Sequence, residues 1–127
     1  MRRMLTVTLM LLSATAAFAM RPVDGRSIEV REVDGRGATL ITGNLGQLRA
    51  GARTDASRDF VRANAALLQL ALEGSDFEST GSVSDELGQT HVRVQQRFNG
   101  LDVVGGEYIV HSDAGGHVFA MNGRLLN

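Results

Sequence analysis

HVRVQQRFNGLDVVGGEYIVHSDAGGHVFAMNG, residues 91–123, is the stretch that decides how this chain folds. Two turn signals, Asn99-Gly100 and Asp113-Ala114-Gly115-Gly116, divide it into three short β-prone runs. Connections this tight join antiparallel neighbours, because a parallel crossover needs a much longer link. In the first run Val92, Val94, Gln96 and Phe98 share one side, and His91, Arg93, Gln95 and Arg97 share the other. The second set is wholly polar, so it meets water or a polar partner. The next run is apolar on both sides. It sets Val104, Gly106, Tyr108 and Val110 against Val103, Gly105, Glu107, Ile109 and His111. Gly105-Gly106 marks either a gap in the pleat where a backbone or side chain could approach closely, or a β-bulge or tight helix packing.

Upstream, residues 55–73 read as a helix. Phe60, Val61, Leu67, Leu68, Ala71 and Leu72 recur at helical spacing, with Arg58, Asp59, Arg62, Gln69 and Glu73 mostly opposite. Thr54 or Asp55 is placed to cap its start, and Gly74 to end it. Asn64 interrupts the apolar stripe, so its amide needs an internal hydrogen-bond partner. Strands are expected at residues 77–84, 90–98, 103–112 and 117–122. A helix of that extent would be about 28 Å long, and an eight-residue strand rises about 26 Å. The lengths match, and the expected fold class is α+β: one long helix packed on a four-stranded antiparallel sheet, cystatin-like in outline.

The N-terminal third reads differently. Arg2 and Arg3, the apolar run 4–12 and Ala17-Phe18-Ala19 follow the order of an export signal, with cleavage between Ala19 and Met20. The apolar run is shorter than the roughly 20 residues that span a bilayer. Residues 20–37 are polar and glycine-rich and repeat Val-Asp-Gly-Arg at 23–26 and 33–36. The two Asp-Gly turns around 27–32 suggest a short hairpin or a strand between turns, and Ile28 and Val30 suit an edge strand. The segment is expected to be loosely held or disordered. A short β-prone run covers 38–45, and 46–53 reads as a linker. The expected organisation is a signal peptide over 1–19, an extension with short strands over 20–53, and one domain over 54–127.

Composition narrows the function classes. The 127 residues carry 13 basic groups, all arginine, against 14 acidic groups, for a net charge of −1. Removal of Arg2 and Arg3 leaves 11 against 14, a net of −3. That weak acidity argues against nucleic acid or anionic lipid as partner. Tryptophan and cysteine are both absent. No thiol chemistry is open to the chain, and an exported domain without disulfides relies on its core. There is no H-E-x-x-H and no G-x-S-x-G. Asp85-Glu86 reads as a solvated acid pair in a turn. The three histidines lie in expected strands. His111 and His117 flank one hairpin and could approach each other, but they read as ordinary surface histidines. No catalytic, cofactor-binding or metal-ligating set is expected, so the chain reads as a binding or assisting module and not as an enzyme.

From about Ala38 to Gly123 the chain resembles the fungalysin/thermolysin-type propeptide of secreted zinc metalloproteases. The densest likeness is Gly88-Gln89-Thr90-His91-Val92-Arg93, Gln95-Gln96, Phe98-Asn99-Gly100, Val103, Gly105-Gly106 and Asn122-Gly123. Three positions depart from the pattern: Asp102 stands where proline is common, Val94 where an aromatic is usual, and Phe98 in place of tyrosine. The resemblance implies an exported precursor in which this domain templates folding of a catalytic domain, in cis or in trans, and holds it inactive. Zinc is then expected only in that catalytic domain. A second, PepSY-like prodomain and the protease would follow in such a precursor, which makes this chain read as a fragment. A stand-alone secreted binding module or trans-acting protease inhibitor is the alternative. The expected partner-contact face is His91, Arg93, Gln95, Arg97 and Glu107.

Overall fold

The computed structural model describes residues 28–32, 39–64 and 74–126. Its elements run β1 (Glu29–Glu32), β2 (Thr39–Gln47), α1 (Arg53–Ala63), β3 (Ser75–Ser84), β4 (Thr90–Phe98), β5 (Leu101–Ser112) and β6 (His117–Arg124). The strands form one antiparallel sheet in the order β1-β2-β6-β5-β4-β3.

This corrects the expected fold class. The sheet has six strands, not four, because the N-terminal segments add β1 and β2 beside β6. Residues 29–32, read as suited to an edge strand within a loosely held segment, form the edge strand and pair with β2 from Glu29 opposite Thr42 to Glu32 opposite Thr39. The helix has 11 residues, Arg53–Ala63, where a long one was expected. Asn64 ends it. Its Nδ2 donates to the Phe60 carbonyl at 2.8 Å from a buried position. A short amide side chain that bonds the backbone locally competes with the helical ladder. The remainder of the expected helix, 65–73, lies outside the described residues, as does the signal segment. The helix starts at Arg53, one residue before Thr54, with Ala52 at the N-cap position and no side-chain cap. Among the described residues no helix is long and apolar enough to cross a membrane.

The core is one cluster. Ala56, Phe60 and Val61 of α1 meet Phe77, Val92, Val94, Tyr108, Val110, Val118 and Met121 of the sheet, and Ile41, Leu45 and Leu48 close its β2 side. Fully burying a side chain of this kind stabilises by about 1.5–3 kcal/mol, so β2 is no ornament. Leu45 stands four residues after Ile41 on the same face of β2 and is buried with it, and β2 shifts register against β6 between Thr42 and Gly46. Tyr108 Oη pairs with Thr39 Oγ1, tying β5 to β2, and burial raises the Tyr108 pKa despite that bond.

Candidate interaction face

Antiparallel pairing puts facing residues on the same side of the sheet. Away from the core, His91 of β4 faces His111 of β5, Arg93 faces Ile109, and Gln95 faces Glu107. On β6, Ala120 faces His111, Asn122 faces Ile109 and Arg124 faces Glu107. His91, Arg93, Gln95, Arg97 and Glu107 therefore lie together on the outer face. Each is engaged within the chain. Arg93 Nη1 donates to both Glu107 carboxylate oxygens at 3.0 and 3.1 Å. Arg97 donates to Asp102 at 3.0 Å and to the Gly100 carbonyl at 2.6 Å, and pairs with Glu78 at 3.1 Å.

Most of the motif residues have a structural task. Asn99 and Gly100, at φ 47° and 80°, make the two-residue turn between β4 and β5. Both central positions of such a turn require positive φ, which Asn-Gly supplies at least cost. Beyond it, the register passes from Arg97 opposite Asp102 to Gln95 opposite Glu107, so residues 103–106 stand opposite Gln96 alone. The Gly105-Gly106 question resolves as a bulge. Gln95 Nε2 holds it by donating to the carbonyls of Gln96, Val103 and Gly106. A Cβ on Gly106 would come within 2.6 Å of Gln96 Oε1. Gln96 itself is buried, and its amide exchanges two bonds with the Leu126 backbone, at 2.6 and 2.8 Å.

The bulge corrects the face expected for Val104. Simple alternation groups it with Tyr108 and Val110, which are buried, whereas Val104 is 91% exposed. It joins Phe98 and Leu101 as apolar side chains displayed at the β4–β5 end of the sheet. The displayed group escaped sequence reading, although three apolar residues crowded around Asn-Gly and Gly-Gly are a usable signal for it.

The histidines also pair differently from expectation. His111 meets His91, with Nδ1 to Nδ1 at 2.7 Å and ring centroids 4.9 Å apart. His117 instead meets Asn44 of β2 through Nε2 and Oδ1. His91 Nε2 donates to Asp85 Oδ2 at 3.1 Å, and His111 Nε2 meets Asn122 Oδ1. Asp85 is more than a solvated turn acid, because its Oδ1 accepts the N–H groups of Leu87 and Gln89, both at 2.9 Å. Loss of solvent opposes its charge. The bonds from His91, Gln89 and Leu87 outweigh that and hold the carboxyl below the ordinary carboxylate range.

Between the end of β2 and α1 lies an open recess of about 150 Å³, lined by Gln47, Arg49, Ala56, Asp59 and Phe60. Arg49 and Asp59 are bonded to each other there at 2.7 Å, which spends both charges. Among the described residues no three His, Cys, Asp or Glu side chains gather as a metal-holding group.

Residues 75–125, from β3 through β6, match the family model described as Fungalysin/Thermolysin Propeptide Motif. That motif belongs to propeptides of thermolysin-like and fungalysin metalloprotease precursors, and it is a propeptide element without catalytic groups of its own. Such propeptides belong to secreted proteases and associate with the protease catalytic domain. Comparison with curated proteins and comparison with solved structures each yield no match.

Proposed function

We propose that this chain is a propeptide that assists folding of a secreted thermolysin-like metalloprotease catalytic domain and restrains its activity. The observation that carries the proposal is the propeptide motif spanning four consecutive strands of one sheet. A prebuilt sheet lowers the ordering cost of a partner whose own strands pair across long sequence separations. The polar outer face of β4 and β5 offers charge pattern, and the exposed Phe98, Leu101 and Val104 at the hairpin end of the sheet, Phe98 and its partner Leu101 on the side away from that face, offer apolar anchors. Desolvated apolar anchors beside a polar rim are the usual anatomy of a protein interface. Residues 1–19 would direct export, with cleavage between Ala19 and Met20, and the domain would comprise 54–127 with β1 and β2 of the extension docked on it.

The test is refolding of a denatured thermolysin-like catalytic domain with the full chain added, followed by assay of peptidase activity. A several-fold higher yield of folded protease, with activity suppressed while the chain is intact, is expected. The double variant Arg93→Glu/Arg97→Glu should lose both effects. Because those arginines are also paired internally, circular dichroism must show it folded, and the milder Arg93→Gln serves as a second probe. No gain in yield and no inhibition by the unmodified chain would refute the proposal. Full effect from folded variants would remove this face from it.

A further inference from the structure

His91 and His111 stand directly opposite each other on adjacent strands, both part-exposed, with Nδ1 atoms 2.7 Å apart. The partners of their outer nitrogens favour one tautomer of each ring. His91 Nε2 faces an Asp85 carboxylate whose other oxygen already accepts two backbone N–H groups, so Nε2 carries a hydrogen. His111 Nε2 faces the Asn122 carbonyl oxygen, which asks the same of it. A neutral imidazole has one N–H and one lone pair. Both lone pairs are therefore left on the two Nδ1 atoms, which point at each other. Two lone pairs at that distance repel unless a cation stands between them.

We propose that the His91–His111 pair is a binding site for a borderline divalent transition metal ion, zinc or copper(II), held through the two Nδ1 atoms. Imidazole nitrogen suits these ions. The surrounding bonds are those a metal-binding histidine uses: the far ring nitrogen donates to a carboxylate or carbonyl, which fixes the ring and makes the near nitrogen more basic. Zinc–nitrogen bonds of about 2.0–2.1 Å at a tetrahedral angle separate two ligand nitrogens by about 3.3 Å, so the rings need part by only about 0.6 Å. Two protein ligands leave the remaining positions to water or to a side chain of a partner, which makes the site exchangeable rather than a fold-holding centre. Arg93, the nearest cation along this face of β4, is neutralised by Glu107. The proposal stands apart from the propeptide reading, since it needs only this chain.

The full chain, stripped with chelator, is titrated near neutral pH with zinc chloride and separately with copper(II) chloride. Calorimetry counts the sites, and long-range ¹H–¹⁵N spectra follow the three histidine rings. One ion per chain is expected for zinc, with the Nδ1 resonances of His91 and His111 moving to metal-bound values while their Nε2 hydrogens stay in place. His91→Gln or His111→Gln should abolish stoichiometric binding. Asp85→Asn should weaken it about 10–100-fold, and His117→Gln should leave it unchanged. Unmoved Nδ1 resonances in excess of both metals mean that the pair shares a proton only, and overturn the proposal. So does binding that survives in both folded histidine variants. The spectra of the unmodified chain decide the matter even if a variant fails to fold.

Discussion

β4 and β2 are both nine-residue strands, and both feed one core, yet they are specified by different means. β4 alternates strictly through Val92, Val94 and Gln96, all buried, and its partners β3 and β5 are its neighbours in sequence. β2 carries Ile41 and Leu45 four positions apart, with glycine at 43 and 46, and its inner partner β6 lies at the other end of the domain. One strand is written in local pattern and turns. The other finds its place because the sheet would otherwise leave β6 and the lower core open. Short-range pattern marks 38–45 as β-prone, but it does not say which distant strand an irregular strand of this kind joins.

The largest test of that contrast is Leu45→Ala. Leu45 is fully buried, and a buried leucine truncated to alanine costs about 2–5 kcal/mol. Val30→Ala on β1, at a position 64% exposed, should change stability by no more than about 0.5 kcal/mol. Urea unfolding of both variants measures the difference. A silent Leu45→Ala would return β2 to the status of a dispensable extension.

Gly106→Ala probes the opposite side of the comparison, the motif-bearing hairpin. Its new methyl would press on Gln96 Oε1 and on Val103 at 3.0 Å. Overpacking of this kind costs about 1–3 kcal/mol, and the Gln96–Leu126 bonds should loosen with it. Faster amide exchange at Leu126 alongside a lower unfolding midpoint is the expected signature. A neutral variant would mean that the bulge does not depend on that close approach.

The smallest effect joins the two regions through α1. Asp59 takes bonds from Arg49, just after β2, and from Arg58; burial opposes its charge, but these arginines outweigh it and lower the pKa. The Phe77 N–H, helped by Arg62, lowers the pKa of Asp76 at the start of β3, against a smaller burial penalty. Depressed folded-state values mean that ionisation favours the fold. This contribution is present above the ordinary carboxylate value of 3.8 and is lost as pH falls below it. These groups are largely solvated, so each pair is worth at most about 1 kcal/mol. Urea midpoints measured down the acid limb should fall, and Asp59→Asn/Asp76→Asn should flatten that slope. An unchanged slope would show that the pairs contribute nothing to holding α1.

Much of the candidate site was legible because sheet faces follow period two. His91, Arg93, Gln95 and Arg97 needed only alternation to be placed together, whereas Glu107 joins them because the bulge brings it opposite Gln95, where the tight Asn99-Gly100 turn alone would have set it opposite Val92. The propeptide likeness was carried by the same hairpin, whose motif residues turn out to build its turn and bulge. Val104 was misplaced because four residues opposite one shift the phase, and no composition rule counts how far a bulge extends. The His91–His111 contact was missed because pairing register, not spacing in the chain, decides which histidines meet. Asp85 looked like an ordinary turn acid until its two backbone donors and His91 were seen around it.

From the sequence alone came the antiparallel hairpins, the polar face of β4 and the buried Asn64 amide that had to find a partner. These are local matters: a turn needs its residues, and alternation tells a strand which side is wet. The sixfold sheet, the docking of β2 on β6, the early end of α1 at Asn64 and the meeting of two imidazoles were decided only in three dimensions. Each depends on contacts between distant segments, and the energy of such contacts is set by which surfaces remain uncovered once the local pieces have formed.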